Sequence, residues 1–284
     1  CLADTALLLT QNHDWDLLFT ETHASDYASH FFLRLADATS GAEPHIIERC
    51  YQGIVRTYQS IDRWVGRLMT IAHDDTVVAI LSDHGGTPDK HRRVSVEEAL
   101  VEAGLMVLET DEMTGQQIVN WSETRAAPLG LCDVFVNLQG REPDGIVAAE
   151  DYAVTQREII DAILDYRDYD TGQRPFTLAL TRQDAEVLNA WGELEGDVVY
   201  ALRPEFDGAH GFHLPTSRLG IGGQHAVFIM AGAGIKEGLH LRGQVRQVDV
   251  APTISYLLGI DVPRDTEGGV VYEALANPNW HLAM

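Results

Sequence analysis

Lysine is nearly missing from this sequence: in 284 residues it occurs only at Lys90 and Lys236, and arginine carries the remaining basic charge. With 43 Asp and Glu against 20 Lys and Arg, the formal net charge is −23. A chain this short of positive charge repels a polyanionic backbone, so no nucleic-acid partner is expected. Cysteine is scarce too. Cys1, Cys50 and Cys132 are an odd number without paired spacing, which argues against a disulfide framework and against a thiolate zinc site. Incidental thiols of a reducing compartment are the better reading. No apolar run approaches the roughly 20 residues of a membrane-spanning helix, and the run at 226–231 reads as a buried strand. Repeats and low-complexity segments are also missing. The sequence starts at Cys1 rather than Met, within an apolar helical pattern over 2–11, as a start inside a longer protein would look.

What is present is a chain with 45% hydrophobic residues, enough for one large core with a sizeable insertion. Strand and helix patterns alternate. Residues 15–22 read as an apolar strand, and 44–72 as a long helix with Ile47, Tyr51, Ile54, Tyr58, Ile61, Val65 and Leu68 on one face. A buried strand is expected at 76–82 and a helix at 96–104. From 109 to 207 the pattern loosens, with a strand at 133–137, a polar helix around 149–166 and an apolar run at 176–180. A strand at 226–231 follows, then a helix over 251–258 with Asp249 before it, Pro252 in its first turn and Gly259 as its stop. The alternation predicts an α/β fold with a central, mostly parallel sheet and helices on both faces.

Three segments place carboxylate or imidazole near a predicted strand end, where ligands of open α/β sheets collect. The first is Asp26-Tyr-Ala-Ser-His30. Its i, i+4 spacing puts oxygen and nitrogen on one side of a helical turn, able to share an ion or simply a surface hydrogen bond. The second is Ser82-Asp83-His84-Gly85-Gly86. Its glycines allow close approach of backbone to a ligand, and two costly polar side chains at a buried edge call for a partner. The third is Ala209-His210-Gly211-Phe212-His213. His210 is favoured because a glycine follows it; His225, at the mouth of the next strand, is the alternative, and His213 ranks third. Arg141 could meet a phosphate through its planar fork or serve as a salt-bridged loop residue.

The succession D-x-x-x-H, S-D-H-G and H-G, followed by Val227-Phe228-Ile229 running to Gly234-Ile235, resembles the alkaline phosphatase superfamily. The order is most similar to its type I phosphodiesterase/nucleotide pyrophosphatase family. Asp249-Val-Ala-Pro-Thr253 running to Leu258-Gly259 and the 137–147 stretch (NLQGREPDGIV) share the resemblance. It implies an alkaline phosphatase-like fold, with residues 1–108 and 208–284 as the metal-binding core and 109–207 as an inserted cap. It also implies two divalent ions, zinc or alternatively manganese. Asp26, His30 and His210 would hold one ion and Asp83 and His84 the other. The expected substrate is a small phosphate ester or nucleotide, cleaved at a phosphodiester or pyrophosphate bond. No catalytic residue is assigned within the chain, because the family's Thr or Ser nucleophile lies well upstream of D-x-x-x-H, and Thr5, Thr10, Thr20 and Thr22 are too close to Asp26 to match it. A phosphoglycerate mutase-like enzyme or a phosphomonoesterase shares these metal segments. A sulfatase fits less well, because no Cys-x-Pro-x-Arg segment occurs. A non-catalytic relative keeping part of the metal site is the alternative of another class.

Overall fold

The computed structural model describes residues 2–88, 92–188, 190, 192, 194–207 and 223–279. The chain divides into two compact units, Cys1–Pro88 with Gly222–Met284 (unit 1) and Asp89–Ile221 (unit 2).

Unit 1 begins with helix α1 (Leu2–Asn12), a short α2 (Ala24–Ala28) that widens into a π-helical turn (Ser29–Leu33), and α3 (Arg34–Ala36). Helix α4 (Pro44–Leu68) follows, with proline in its first turn, where its missing N–H is no loss. Strand β1 (Val77–Leu81) ends this part of the unit. The 25 residues of α4 are strongly amphipathic, and no helix among the described residues is both long and apolar enough to cross a membrane.

Unit 2 runs through β2 (Arg92–Arg93), α5 (Val96–Glu102), β3 (Leu108–Thr110), β4 (Gln117–Val119), β5 (Ala126–Pro128) and β6 (Asp133–Val136). It continues with α6 (Tyr152–Asp165), β7 (Phe176–Thr181), α7 (Arg182–Ala185), β8 (Val198–Leu202) and β9 (Phe206–Asp207). Strands β5-β6-β8-β7 form a four-stranded antiparallel sheet. The apolar faces of α5 and α6 complete its core through Leu100, Ile159 and Ile163, packed with Val134, Val136 and Val198, all fully buried. Helix α5 is started by Ser95, whose hydroxyl accepts from Glu97 N at 3.2 Å and so satisfies one of the donors a helix start leaves open.

The chain then returns to unit 1 with β10 (Phe228–Gly232) and α8 (Val250–Leu258). Strand β10 pairs antiparallel with β1, from Val77 opposite Gly232 to Leu81 opposite Phe228. Among the described residues of this unit, Leu275 is the one large apolar side chain that is completely buried.

The expected central, mostly parallel sheet does not form. Among the described residues the sheets are small and mostly antiparallel, and parallel pairing is limited to the two residues of β2 with β9 and to isolated bridges at Leu138–Val147 and Gln139–Glu142. Two reasons stand out. Apolar runs such as 76–82 and 226–231 look alike whether their strands pair parallel or antiparallel, so composition carries no direction. The 15–22 segment, read as a strand, takes no regular structure, and among the described residues no strand pairs with it. The loosely patterned middle instead holds the most complete sheet. Its all-buried strand β8 was not anticipated.

Candidate metal centre

In the first segment, Asp26 lies in the first turn of α2 and His30 in the π-helical turn that continues it. Across the single-turn π segment, a rare form that is frequent at functional sites, His30 Nε2 lies 3.3 Å from Asp26 Oδ1. Both side chains are about one-third exposed, at 35% and 29%.

In the second segment, Asp83 and His84 follow directly on β1. The loop is held by backbone bonds from Ser82 N to Val227 O (3.0 Å) and from Gly85 N to Gly223 O (3.1 Å). His84 Nδ1 lies 2.8 Å from Gly85 O, and since a carbonyl can only accept, Nδ1 donates. In a neutral ring the lone pair then sits on Nε2, 3.6 Å from Asp83 Oδ2. Fixing one ring nitrogen by a backbone carbonyl is how proteins orient a metal-binding histidine.

The two segments are neighbours. A Cβ built on Gly86 would stand 3.2 Å from Leu33 Cδ2 and 3.8 Å from Ser29 Cβ, so glycine here lets the Asp83–Gly86 loop lie against the turn that carries His30. His210 and His213 lie outside the described residues. His225 is exposed, three residues before β10, with its Nε2 3.4 Å from Gln244 Nε2. Among the described residues, no three or more His, Cys, Asp or Glu side chains come together as a metal-binding group. The structure therefore places two carboxylate–imidazole pairs on adjoining segments.

The pairs can be tested against an ion. Oxygen and nitrogen ligands at about 2.0–2.2 Å from a tetrahedral ion stand about 3.4 Å apart. The observed separations of 3.3 and 3.6 Å fit one ion at each pair, and the oxygen–nitrogen donor set suits zinc or manganese. The same spacing also serves a simple carboxylate–imidazolium contact. The thiols lie elsewhere, Cys50 on α4 and Cys132 in the core of unit 2.

Arg141 is engaged by the protein itself. Its fork grips the fully buried carboxylate of Asp197, Nη1 to Oδ1 at 2.8 Å and Nη2 to Oδ2 at 2.6 Å. Tyr152 OH (2.7 Å), Val136 N (2.7 Å) and Arg182 Nη2 (3.2 Å) also donate to Asp197. Burial pushes the Asp197 carboxyl up, but Arg141, Tyr152 and the Val136 amide outweigh burial and hold it below the usual aspartate range. Burial and the Asp197 charge together push the Tyr152 hydroxyl up to about 12. The 137–147 stretch is thus a structural clasp of unit 2, in line with the salt-bridged reading of Arg141.

Sequence reasoning passed over Gln247, whose Nε2 donates to Asp83 O at 2.8 Å. A lone glutamine has no signature that could have marked it.

A comparison with curated proteins finds no match. Among solved structures, wild-type alkaline phosphatase PafA aligns with 89% of this chain at 15% identity and a TM-score of 0.49; the chain spans 46% of that protein's length. The family model for type I phosphodiesterase/nucleotide pyrophosphatase matches residues 2–225, a stretch that contains every candidate ligand. The chain belongs to the type I phosphodiesterase/nucleotide pyrophosphatase family.

Proposed function

We propose that this chain is the metal-binding part of a two-metal hydrolase that cleaves phosphodiester or nucleotide pyrophosphate bonds. The observation that carries the reading is the pairing of Asp26 with His30 and of Asp83 with His84 on adjoining segments, within a chain of this family. Asp26, His30 and His210 hold one ion and Asp83 and His84 the other, with zinc the expected metal and manganese the alternative. Bound there, two divalent ions supply the positive charge and polarisation for in-line displacement at phosphorus, in a chain whose own net charge is −23. The contact of His84 Nδ1 with Gly85 O keeps the ring turned to its ion, and the Gly85–Gly223 bond keeps the loop in place. The attacking Thr or Ser, and the ligands that complete the Asp83–His84 site, come from outside residues 1–284. Residues 109–207 act as the cap that selects the substrate. Residues 1–284 alone are therefore expected to be catalytically silent.

The test uses full-length protein purified without chelator. Metal analysis should find two transition-metal ions; His30→Ala should lose one and His225→Ala none. The protein should cleave an aryl phosphodiester or nucleotide ester faster than the matching monoester, and an aryl sulfate slowest. Equal metal loss from both histidine changes would reject the ligand assignment. A preference for the monoester would favour the phosphomonoesterase alternative. A protein that folds but binds no ion would be the non-catalytic relative.

A further inference from the structure

Beside the candidate metal centre, within unit 1, lies a short segment with no ligand of its own but a bond to one ligand's backbone. Gln247 opens a 3-10 turn, Gln247–Asp249, and its side-chain amide donates to Asp83 O at 2.8 Å, 164 residues away in sequence. Three residues earlier, Gln244 Nε2 lies 3.4 Å from His225 Nε2. One stretch of chain thus reaches both sides of the β1–β10 mouth.

The turn is itself firmly held. Asp249 is buried, and its carboxylate accepts from Arg246 N (2.8 Å), Arg246 Nη2 (2.9 Å) and Gly269 N (2.9 Å). The Arg246 guanidinium holds the Asp249 carboxyl below the usual aspartate range, so the lock persists at neutral pH. On its far side the turn meets Gly268, where a Cβ would stand 1.7 Å from Val248 O, closer than any side chain allows. Thr253 Oγ1 ties helix α8 to the same point, donating to Asp249 O at 2.6 Å and accepting from Val271 N at 3.0 Å.

We infer that Gln247 is a positioning residue for the metal ion held by Asp83 and His84, acting through the Asp83 carbonyl as the free end of a turn anchored by Asp249. The physical need is plain. The Asp83 side chain is 82% exposed, so its own packing does little to fix it, and the amide of Gln247 adds a restraint on the carbonyl one residue before His84, between the backbone bonds of Ser82 and Gly85. Outer groups that orient ligands in this way typically change metal affinity about 10- to 100-fold when removed.

This inference rests on the two-metal reading, and the experiment separates the two. Full-length protein is stripped of metal and titrated with Co²⁺ alone, following visible absorption and stoichiometry, for the parent, Gln247→Met and Gln247→Glu. Both variants keep the side chain's length and lack its amide donor. The expected result is a parent that takes up two ions, and variants in which one ion binds about 10-fold or more weakly while the other is unchanged. The metal-free thermal midpoint should stay close to the parent's, because Gln247 is exposed. Two ions bound by both variants with parental affinity would overturn the inference alone. A similar loss of both ions, or a large fall in the metal-free midpoint, would make Gln247 merely structural and overturn it as well. A parent that binds no ion would overturn the two-metal reading and this inference with it.

Discussion

Leu81, at the end of β1, and Leu100, within α5, are the same residue type in opposite circumstances. Leu81 is 39% exposed in unit 1, whereas Leu100 is completely buried in unit 2. The contrast extends through both units. Unit 2 encloses its apolar side chains between a four-stranded sheet and two helices, and its fully buried carboxylate Asp197 meets several donors. Among the described residues of unit 1 the sheet has two strands, none of α4 is buried, and Phe19, Phe31, Leu81 and Ile229 are exposed. The described candidate metal ligands, Asp26, His30, Asp83, His84 and His225, belong to the open unit. The well-packed unit carries none that is described. Cohesion in this protein is therefore concentrated away from the proposed chemistry, and unit 1 relies more on specific polar ties such as the Asp249 lock.

The largest expected difference lies at Asp197. Asp197→Ala leaves Arg141 and Arg182 without their shared acceptor and should destabilise unit 2 by about 3–5 kcal/mol, read from chemical denaturation. Because the folded-state pKa of Asp197 is depressed, its stabilisation is present above the unfolded value of about 4 and is lost as pH falls below it. Acid titration of stability should accordingly show a fall in the parent below about pH 4 that Asp197→Asn blunts. A change under 1 kcal/mol for Asp197→Ala would mean that unit 2 does not depend on its centre.

A sharper test sets the two leucines against each other. Leu100→Ala should cost about 2–5 kcal/mol through lost burial and a residual cavity. Leu81→Ala should cost less than about 1 kcal/mol, because much of the side chain already meets water. Equal costs would show that the face of β1 is covered in solution and would abolish the contrast. The smallest effect belongs to the start of α5: Ser95→Ala should cost about 1 kcal/mol, with Ser95→Asp nearly neutral, measured by thermal unfolding.

Local structure was legible wherever local chemistry decides it. The i, i+3, i+4 pattern locates α4 to within a few residues, and the apolar runs find β1 and β10. Sheet direction was not legible, because it depends on which strands meet and not on what each contains. Strand β8 was missed because Val198 to Leu202 sits inside a polar stretch, and its burial comes from β6 and β7 on either side. At the candidate site, the Asp26–His30 spacing predicted a shared helical turn, and the turn is there, widened to π form. The nearness of Gly86 to that turn, and the reach of Gln247 across 164 residues, arise only from folding. Spacing along the chain can suggest which residues share an ion; it cannot show what holds them.

The bond from Gly85 N to Gly223 O also bears on the order of events during folding. It joins two points of unit 1 that lie 138 residues apart, with unit 2 as the excursion between them. Closing a loose loop of that length costs about 2 kcal/mol more in chain entropy than closing one of about ten residues. The β5–β6 and β7–β8 pairings of unit 2, by contrast, join residues much nearer in sequence, which favours early formation of those parts. A unit 2 that condenses first would replace the long search by a short one, so that the mouth of the candidate metal centre closes on a loop already reeled in.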